Sequence, residues 1–230
     1  MTCRTRIEPA AYVDWRASDL GMIAEALEDR LLFRLLGSVD GLLVLDVGCG
    51  DGAFVAKLAD RGATVVGVDP DRQTIGAAAR RLGGAGSVPH LAVAEGQHLP
   101  FADATFDAVV AKTVLCFVGE GDAVVGEMAR VLRPGGRFVI GELGRWSTWA
   151  AARRVRACCG SSLWRRGRFR TPRELRRLAG AAGLQVARLQ GAIYYPRVAW
   201  LARLLAPLDA NLGKLTSFGA AFLALSATKR

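Results

Sequence analysis

The segment Val44-Leu45-Asp46-Val47-Gly48-Cys49-Gly50-Asp51-Gly52-Ala53-Phe54 limits what this chain can become more than any other. A run of branched apolar residues over 42–47 predicts a buried strand, which three glycines at alternate positions end abruptly. A helical pattern over 53–61 follows at once. Without Cβ atoms such a turn lets a ligand reach the bare backbone. The helix start behind it offers unpaired N–H groups and a partial positive charge to an anionic group. The combination predicts a nucleotide-like ligand.

Gly48-Cys49-Gly50-Asp51-Gly52-Ala53 also satisfies the loose dinucleotide pattern G-x-G-x-x-[GA], so the kind of nucleotide needs further signals. Asp46 stands inside the strand end, where a dinucleotide-binding strand is normally apolar. The second strand, Thr64-Val65-Val66-Gly67-Val68-Asp69, ends in an acid 21 positions after Gly48. A carboxylate there can accept both hydroxyls of a ribose. Leu99-Pro100-Phe101, Phe106-Asp107-Ala108-Val109-Val110 and Leu132-Arg133-Pro134-Gly135-Gly136 follow in order.

This ordered set resembles the class I S-adenosylmethionine (SAM)-dependent methyltransferases, particularly the small-molecule group called type 11, most strongly over 40–143. The resemblance implies that Gly48, Cys49, Gly50 and Gly52 floor the methionine part of SAM, with Asp46 orienting that loop or the amino group. It implies Asp69 on the ribose hydroxyls and Pro70 along the adenine. Glu95, Gly96 and Gln97 fall where the family contacts adenine, although the family usually has Asp where Glu95 stands. Lys112 falls near the methyl-bearing sulfonium, and a cation there predicts a side chain turned away. S-adenosylhomocysteine would be the product.

Apolar runs alternate with helical patterns along the chain. Strands are expected near 42–47, 64–69, 90–94, 106–111, 136–143, 184–194 and 218–228. Helices are expected near 19–37, 53–61, 71–82, 120–132, 148–158, 172–182 and 196–206. Such alternation predicts an α/β, doubly wound, mostly parallel seven-stranded sheet, whose last strand the family resemblance makes antiparallel. Arg133-Pro134-Gly135-Gly136 reads as a helix stop and turn, and Gly83-Gly84-Ala85-Gly86 as a loop. One domain is expected over 1–230: lid helices (1–38), a SAM-binding core (39–143), a basic cap (144–177) and a sheet-completing part (178–230).

Charge is concentrated. Residues 145–177 hold eleven arginines against Glu174 alone, while the rest of the chain balances at 20 basic and 20 acidic residues. With Trp146, Trp149, Trp164 and Phe169 interleaved, this stretch could touch an anionic surface or carrier, or RNA. Equally, 27 Arg against 4 Lys can reflect a compositional habit with solvated charges. Five cysteines without C-x-x-C spacing point to a reducing cytoplasm and no metal site. No run reaches the roughly 18 apolar residues of a bilayer span, and 198–208 is interrupted by Arg203 and Pro207. No signal peptide is read at the start. A cytoplasmic protein, peripheral at a membrane at most, is the expectation.

The expected function is methyl transfer from SAM to a small or lipid-like organic acceptor. The alternatives are an RNA methyltransferase, a nicotinamide-dependent oxidoreductase and a SAM-binding protein without turnover. Neither an N-P-P-[YF] or D-P-P-[YF] tetrapeptide nor a Pro-Cys pair supports the RNA alternative, since Cys116 follows Leu115. Tyr12, Trp15, Trp146 and Tyr194 are candidates to line the acceptor pocket. Glu142, at the end of the fifth strand, is the candidate general base if the acceptor must lose a proton.

Overall fold

The computed structural model describes residues 15–83, 90–161, 164, 165 and 167–230. Tyr12 and most of the Gly83-Gly84-Ala85-Gly86 loop lie outside them. The strands are β1 (Leu43–Val47), β2 (Thr64–Asp69), β3 (His90–Val93), β4 (Phe106–Lys112), β5 (Leu132–Leu143), β6 (Leu184–Ala192) and β7 (Phe222–Lys229). They form one sheet in the order β3-β2-β1-β4-β5-β7-β6. Strand β7 runs antiparallel between β5 and β6, and the pairs among the first five strands are parallel. The order reverses beside β1, which pairs β2 on one side and β4 on the other. Open α/β sheets bind ligands at such a reversal, beyond the carboxyl ends of the strands.

The helices are α1 (Asp19–Leu36), α2 (Ala53–Ala59), α3 (Arg72–Leu82), α4 (Gly121–Val131), α5 (Thr148–Cys158), α6 (Pro172–Ala181) and α7 (Ala199–Leu215). They cover both faces of the sheet, giving two apolar layers. One holds Leu27, Leu31, Leu32, Phe54 and Leu58 with Val44 and Val110. The other holds Val124, Met128, Leu175 and Leu178 with Leu45 and Val109. Neighbouring residues of β1 and β4 alternate between the layers, so these strands are apolar on both sides. Each fully buried Leu or Phe contributes about 2 kcal/mol of transfer free energy. Local chemistry marks the helix starts: Ser18 accepts from Gly21 N–H, and Thr171 with Glu174 closes a capping box ahead of Pro172.

Three boundaries differ from the sequence reading by four residues or more. Strand β5 begins at Leu132, four residues early, because Leu132 pairs with Phe106 and the Arg133–Gly136 turn is absorbed as a bulge before Arg137 meets Ala108. Strand β7 begins at Phe222 rather than 218, and Phe218 is left exposed. Helix α7 runs on to Leu215 through Pro207. Burial of Ala202, Asp209 and Gly213 on one side carries it past the residue that should have ended it.

Candidate functional site

The glycine turn leaves β1 at the reversal point. Gly48 has φ +72°, and a Cβ there would lie 2.4 Å from Val114 Cγ2, so a close approach of two loops requires the glycine. Gly50 differs: its φ is +57°, yet a Cβ would meet no atom within 4 Å. Gly48 is a packing glycine, whereas the side of Gly50 is open to something else. Asp69 ties the turn to β2, accepting from Gly50 N–H at 3.2 Å and from Asp71 N–H at 2.9 Å.

Asp46 is 1% exposed, and among the described residues its Oδ2 has no hydrogen-bond partner. Burial pushes its carboxyl up to about 8; Lys112 pulls it down, and Asp69 and Asp29 push it further up. A buried carboxylate oxygen without a donor is costly unless a ligand supplies one. Cys49 is buried between the turn and β2, and its thiol is pushed well up by the same burial and by Asp46. It is inert as a nucleophile at neutral pH. Gly96 packs beneath Val47 and Val124, Glu95 bridges to His98, and Glu95 and Pro70 lie exposed at the strand ends.

A chain of ion pairs frames the turn, and the sequence reading missed it. Arg16 holds Asp51 with two hydrogen bonds of 2.9 and 3.1 Å, and Glu25 with 3.1 and 3.0 Å. Arg81 also reaches Asp51, at 2.6 Å. Burial raises the Asp51 carboxyl, but Arg16 and Arg81 outweigh it and hold it below the usual range. Lys57 bridges Glu25 and Asp29 at 3.1 and 2.5 Å, and Lys112 binds Asp29 and Glu28 at 2.7 and 3.1 Å. The Lys112 side chain is thus turned into α1. The signal was present as Glu25, Glu28 and Asp29, spaced to share one face of a mostly apolar helix. Removing one member of such a set strands the others. Lys112→Met is expected to cost about 3 kcal/mol in urea denaturation. The loss should shrink at acid pH, because burial first, only partly offset by Lys112, raises the Glu28 carboxyl and protonation relieves its charge.

Glu142 is fully buried. Its Oε1 accepts from Val114 N–H at 3.0 Å and Leu115 N–H at 2.7 Å, and Oε2 from Cys116 N–H at 3.0 Å. Burial lifts it to about 7, against these three donors and Arg170. Arg170, itself 9% exposed, donates to the Leu115 carbonyl. The carboxylate is therefore committed to shaping residues 113–118, the loop after β4, and not to solvent or to an open cleft.

The aromatic candidates separate. Trp15 stands edge-on to Trp149 at 6.4 Å, and Trp149 edge-on to Tyr195 at 6.3 Å, with the Trp149 indole N–H donating to the Tyr195 carbonyl at 2.8 Å. Tyr194 donates its hydroxyl to the Thr216 carbonyl, and its N–H goes to Asp209. Trp146 is 55% exposed, with the Arg145 guanidinium 5.5 Å from its ring, and takes no part in that cluster. Several arginines of 145–177 also have structural employment: Arg153 lies over Trp149 and Trp164, Arg154 over Phe169, and Arg168 donates to the Gly119 carbonyl. Among the described residues no His, Cys, Asp or Glu cluster could hold a metal.

A strand-end acid, a glycine turn at the reversal point and an acid ending the next strand meet at the carboxyl end of the sheet, where open α/β sheets bind ligands. The family model described as a methyltransferase domain matches residues 45–140. Residues 45–140 thus carry a methyltransferase domain of the type 11 group, and the fold is that of SAM-dependent methyltransferases. It is 33% identical over 165 residues to a ubiquinone biosynthesis O-methyltransferase of Rhizobium etli, covering 69% of this chain and 66% of that protein. It is 34% identical over 189 residues to an uncharacterized protein of Mycobacterium tuberculosis, covering 82% of this chain and 62% of that protein. The chain thus spans less than two thirds of these curated relatives. A SAM-dependent methyltransferase of Thermotoga maritima shares the fold with a TM-score of 0.73 at 19% identity, over 96% of this chain and 95% of that one.

Proposed function

We propose that this protein transfers the methyl group of SAM to a small or lipid-like organic acceptor. The observation that carries the reading is the buried, unpartnered Asp46 Oδ2 at the end of β1, near the open side of Gly50. A cationic amino group fits that oxygen, and a ligand backbone fits where no Cβ stands. Asp46 holds the ammonium of SAM; Gly48, Cys49, Gly50 and Gly52 form the floor; Asp69 takes the ribose; Pro70, Glu95, Gly96 and Gln97 border the adenine. SAM brings an already activated methyl group, so the protein's part is to hold the acceptor in line and exclude water. Glu142 is a positioning residue that holds the loop after β4, and no general base is assigned. Trp15 and Tyr194 border the acceptor, with the buried Trp149 and Tyr195 packed behind Trp15. The ubiquinone relative supports an organic acceptor with an apolar body.

Calorimetry across pH tests the Asp46 role. With its carboxyl near 8 in the free protein and the ammonium favouring the ionised form, SAM affinity is expected to rise about tenfold per pH unit between pH 6 and 7.5, with about one proton released. Asp46→Asn should bind SAM weakly and without that slope. The same raised carboxyl makes the free protein lose stability as pH climbs from about 4 to about 8, because the folded state holds the proton longer than the unfolded one. That loss should flatten in Asp46→Asn. A slope unchanged by the substitution would remove Asp46 from the site.

A further inference from the structure

Helix α7 leaves a long apolar face uncovered. Trp200 is 67% exposed, Leu204 65%, Leu208 54%, Leu212 39% and Leu215 83%, with Phe218 beyond the helix end at 76%. At 100° per residue the five helical positions fall within an arc of about 120° and extend along about 22 Å. The buried positions, Ala202, Asp209 and Gly213, fall on the opposite side, against α1 and β6. The stripe is therefore a surplus face of a helix already docked, not a core face that lost its partner.

Its chemistry points to one occupant. The exposed residues over 197–218 include no carboxylate, since Asp209 is turned inward onto the Ile193 and Tyr194 N–H groups. Arg203 and Lys214 are exposed along one edge of the stripe, Arg203 reaching Asp19 of α1 at 2.5 Å. Arg197 stands at the helix start with its guanidinium 5.3 Å from the Trp149 ring, and burial, then the positive charge of Arg156 on α5, lowers its pKa. A Trp-Leu stripe with a basic edge is the composition of helices that lie in a lipid interface. Self-association through this face would bring together two chains each carrying a net charge of +10, which opposes pairing. The basic stretch at 145–177 has the same sign, which suits an anionic bilayer.

We propose that α7 docks this protein onto an anionic lipid bilayer, inserting Trp200, Leu204, Leu208, Leu212 and Leu215 among the acyl chains at the interface. No described helix is long and apolar enough to cross a membrane, so the contact is superficial. The end of α7 that carries Arg203 is tied to Asp19, three residues from Arg16 of the glycine-turn network. Docking by α7 thus puts the membrane beside the candidate site, and it holds whichever acceptor is methylated.

The test is co-sedimentation of the full chain with vesicles of phosphatidylcholine alone or mixed equally with phosphatidylglycerol. The protein is expected to bind the mixed vesicles at least about tenfold more tightly, and to be released by salt. The double variant Leu204→Glu with Leu208→Glu should bind them at least about a hundredfold more weakly, with an unchanged melting temperature and unchanged SAM binding. Brominated acyl chains should quench tryptophan emission in the wild type, and less so in Trp200→Phe. Sedimentation with neither vesicle, or binding untouched by the double variant, would overturn the proposal. A dimer in the absence of lipid that the double variant dissociates would also overturn it and assign the face to a second copy. SAM binding, read on the same samples, keeps failure of the docking distinct from failure of the methyltransferase reading.

Discussion

Gly50→Val is expected to lower SAM affinity at least a hundredfold, on the order of 3 kcal/mol, while changing fold stability far less. The φ of +57° makes any side chain there strained, at about 1–2 kcal/mol, but the added atoms start from a Cβ with no neighbour within 4 Å. Their collision is with a ligand on the backbone. Gly48→Ala should behave in the opposite way. Its Cβ would press on Val114 at 2.4 Å, so the expected loss is about 3 kcal/mol of stability from strain and overpacking together. Urea denaturation and SAM titration on both variants separate a ligand glycine from a packing glycine. Equal effects of the two on affinity, with none on stability, would contradict the assignment.

Glu142→Ala is expected to cost about 4 kcal/mol, the largest stability loss of any single substitution at the site. It leaves three buried N–H groups, on Val114, Leu115 and Cys116, without their acceptor, and Arg170 without its nearby carboxylate. Glu142→Gln keeps one carbonyl for those donors but aims an NH2 at the rest, and should fall between the two. Because burial holds the Glu142 carboxyl near 7, its contribution to stability is complete below about pH 4.5 and is lost as pH rises through about 7. Urea midpoints at pH 5 and pH 8 read this directly: the wild type should lose more than the Gln variant over that interval. Little loss in the Ala variant would mean that the loop holds itself.

Much of the fold was legible because it is written locally. The apolar run into Gly48, Gly50 and Gly52, and the acid ending 64–69, each announce a strand end and a turn within a few residues. The alternation of strands and helices then leaves few ways to build a sheet. What escaped depends on partners far along the chain. Glu142 is a base candidate by its place at a strand end, and the backbone groups it accepts from, 26–28 residues earlier, carry no sequence signal. The Arg16–Asp51 bond joins residues 35 apart, so the ion-pair chain could be suspected only from the acids sharing one face of a mostly apolar helix. Pro207 is a breaker by local rules, but helix packing on α1 and β6 overrides them, and this produced the exposed stripe that the sequence reading cut short at 206.

The measurement that tests the account most directly is transfer of label from methyl-labelled SAM, run with the wild type and Gly50→Val in whole extract. The extract is then divided into organic-soluble, aqueous small-molecule, nucleic-acid and protein fractions. The account predicts label in the organic or small-molecule fraction with the wild type, and almost none with Gly50→Val. Label confined to nucleic acid, or label that Gly50→Val leaves undiminished, would contradict it.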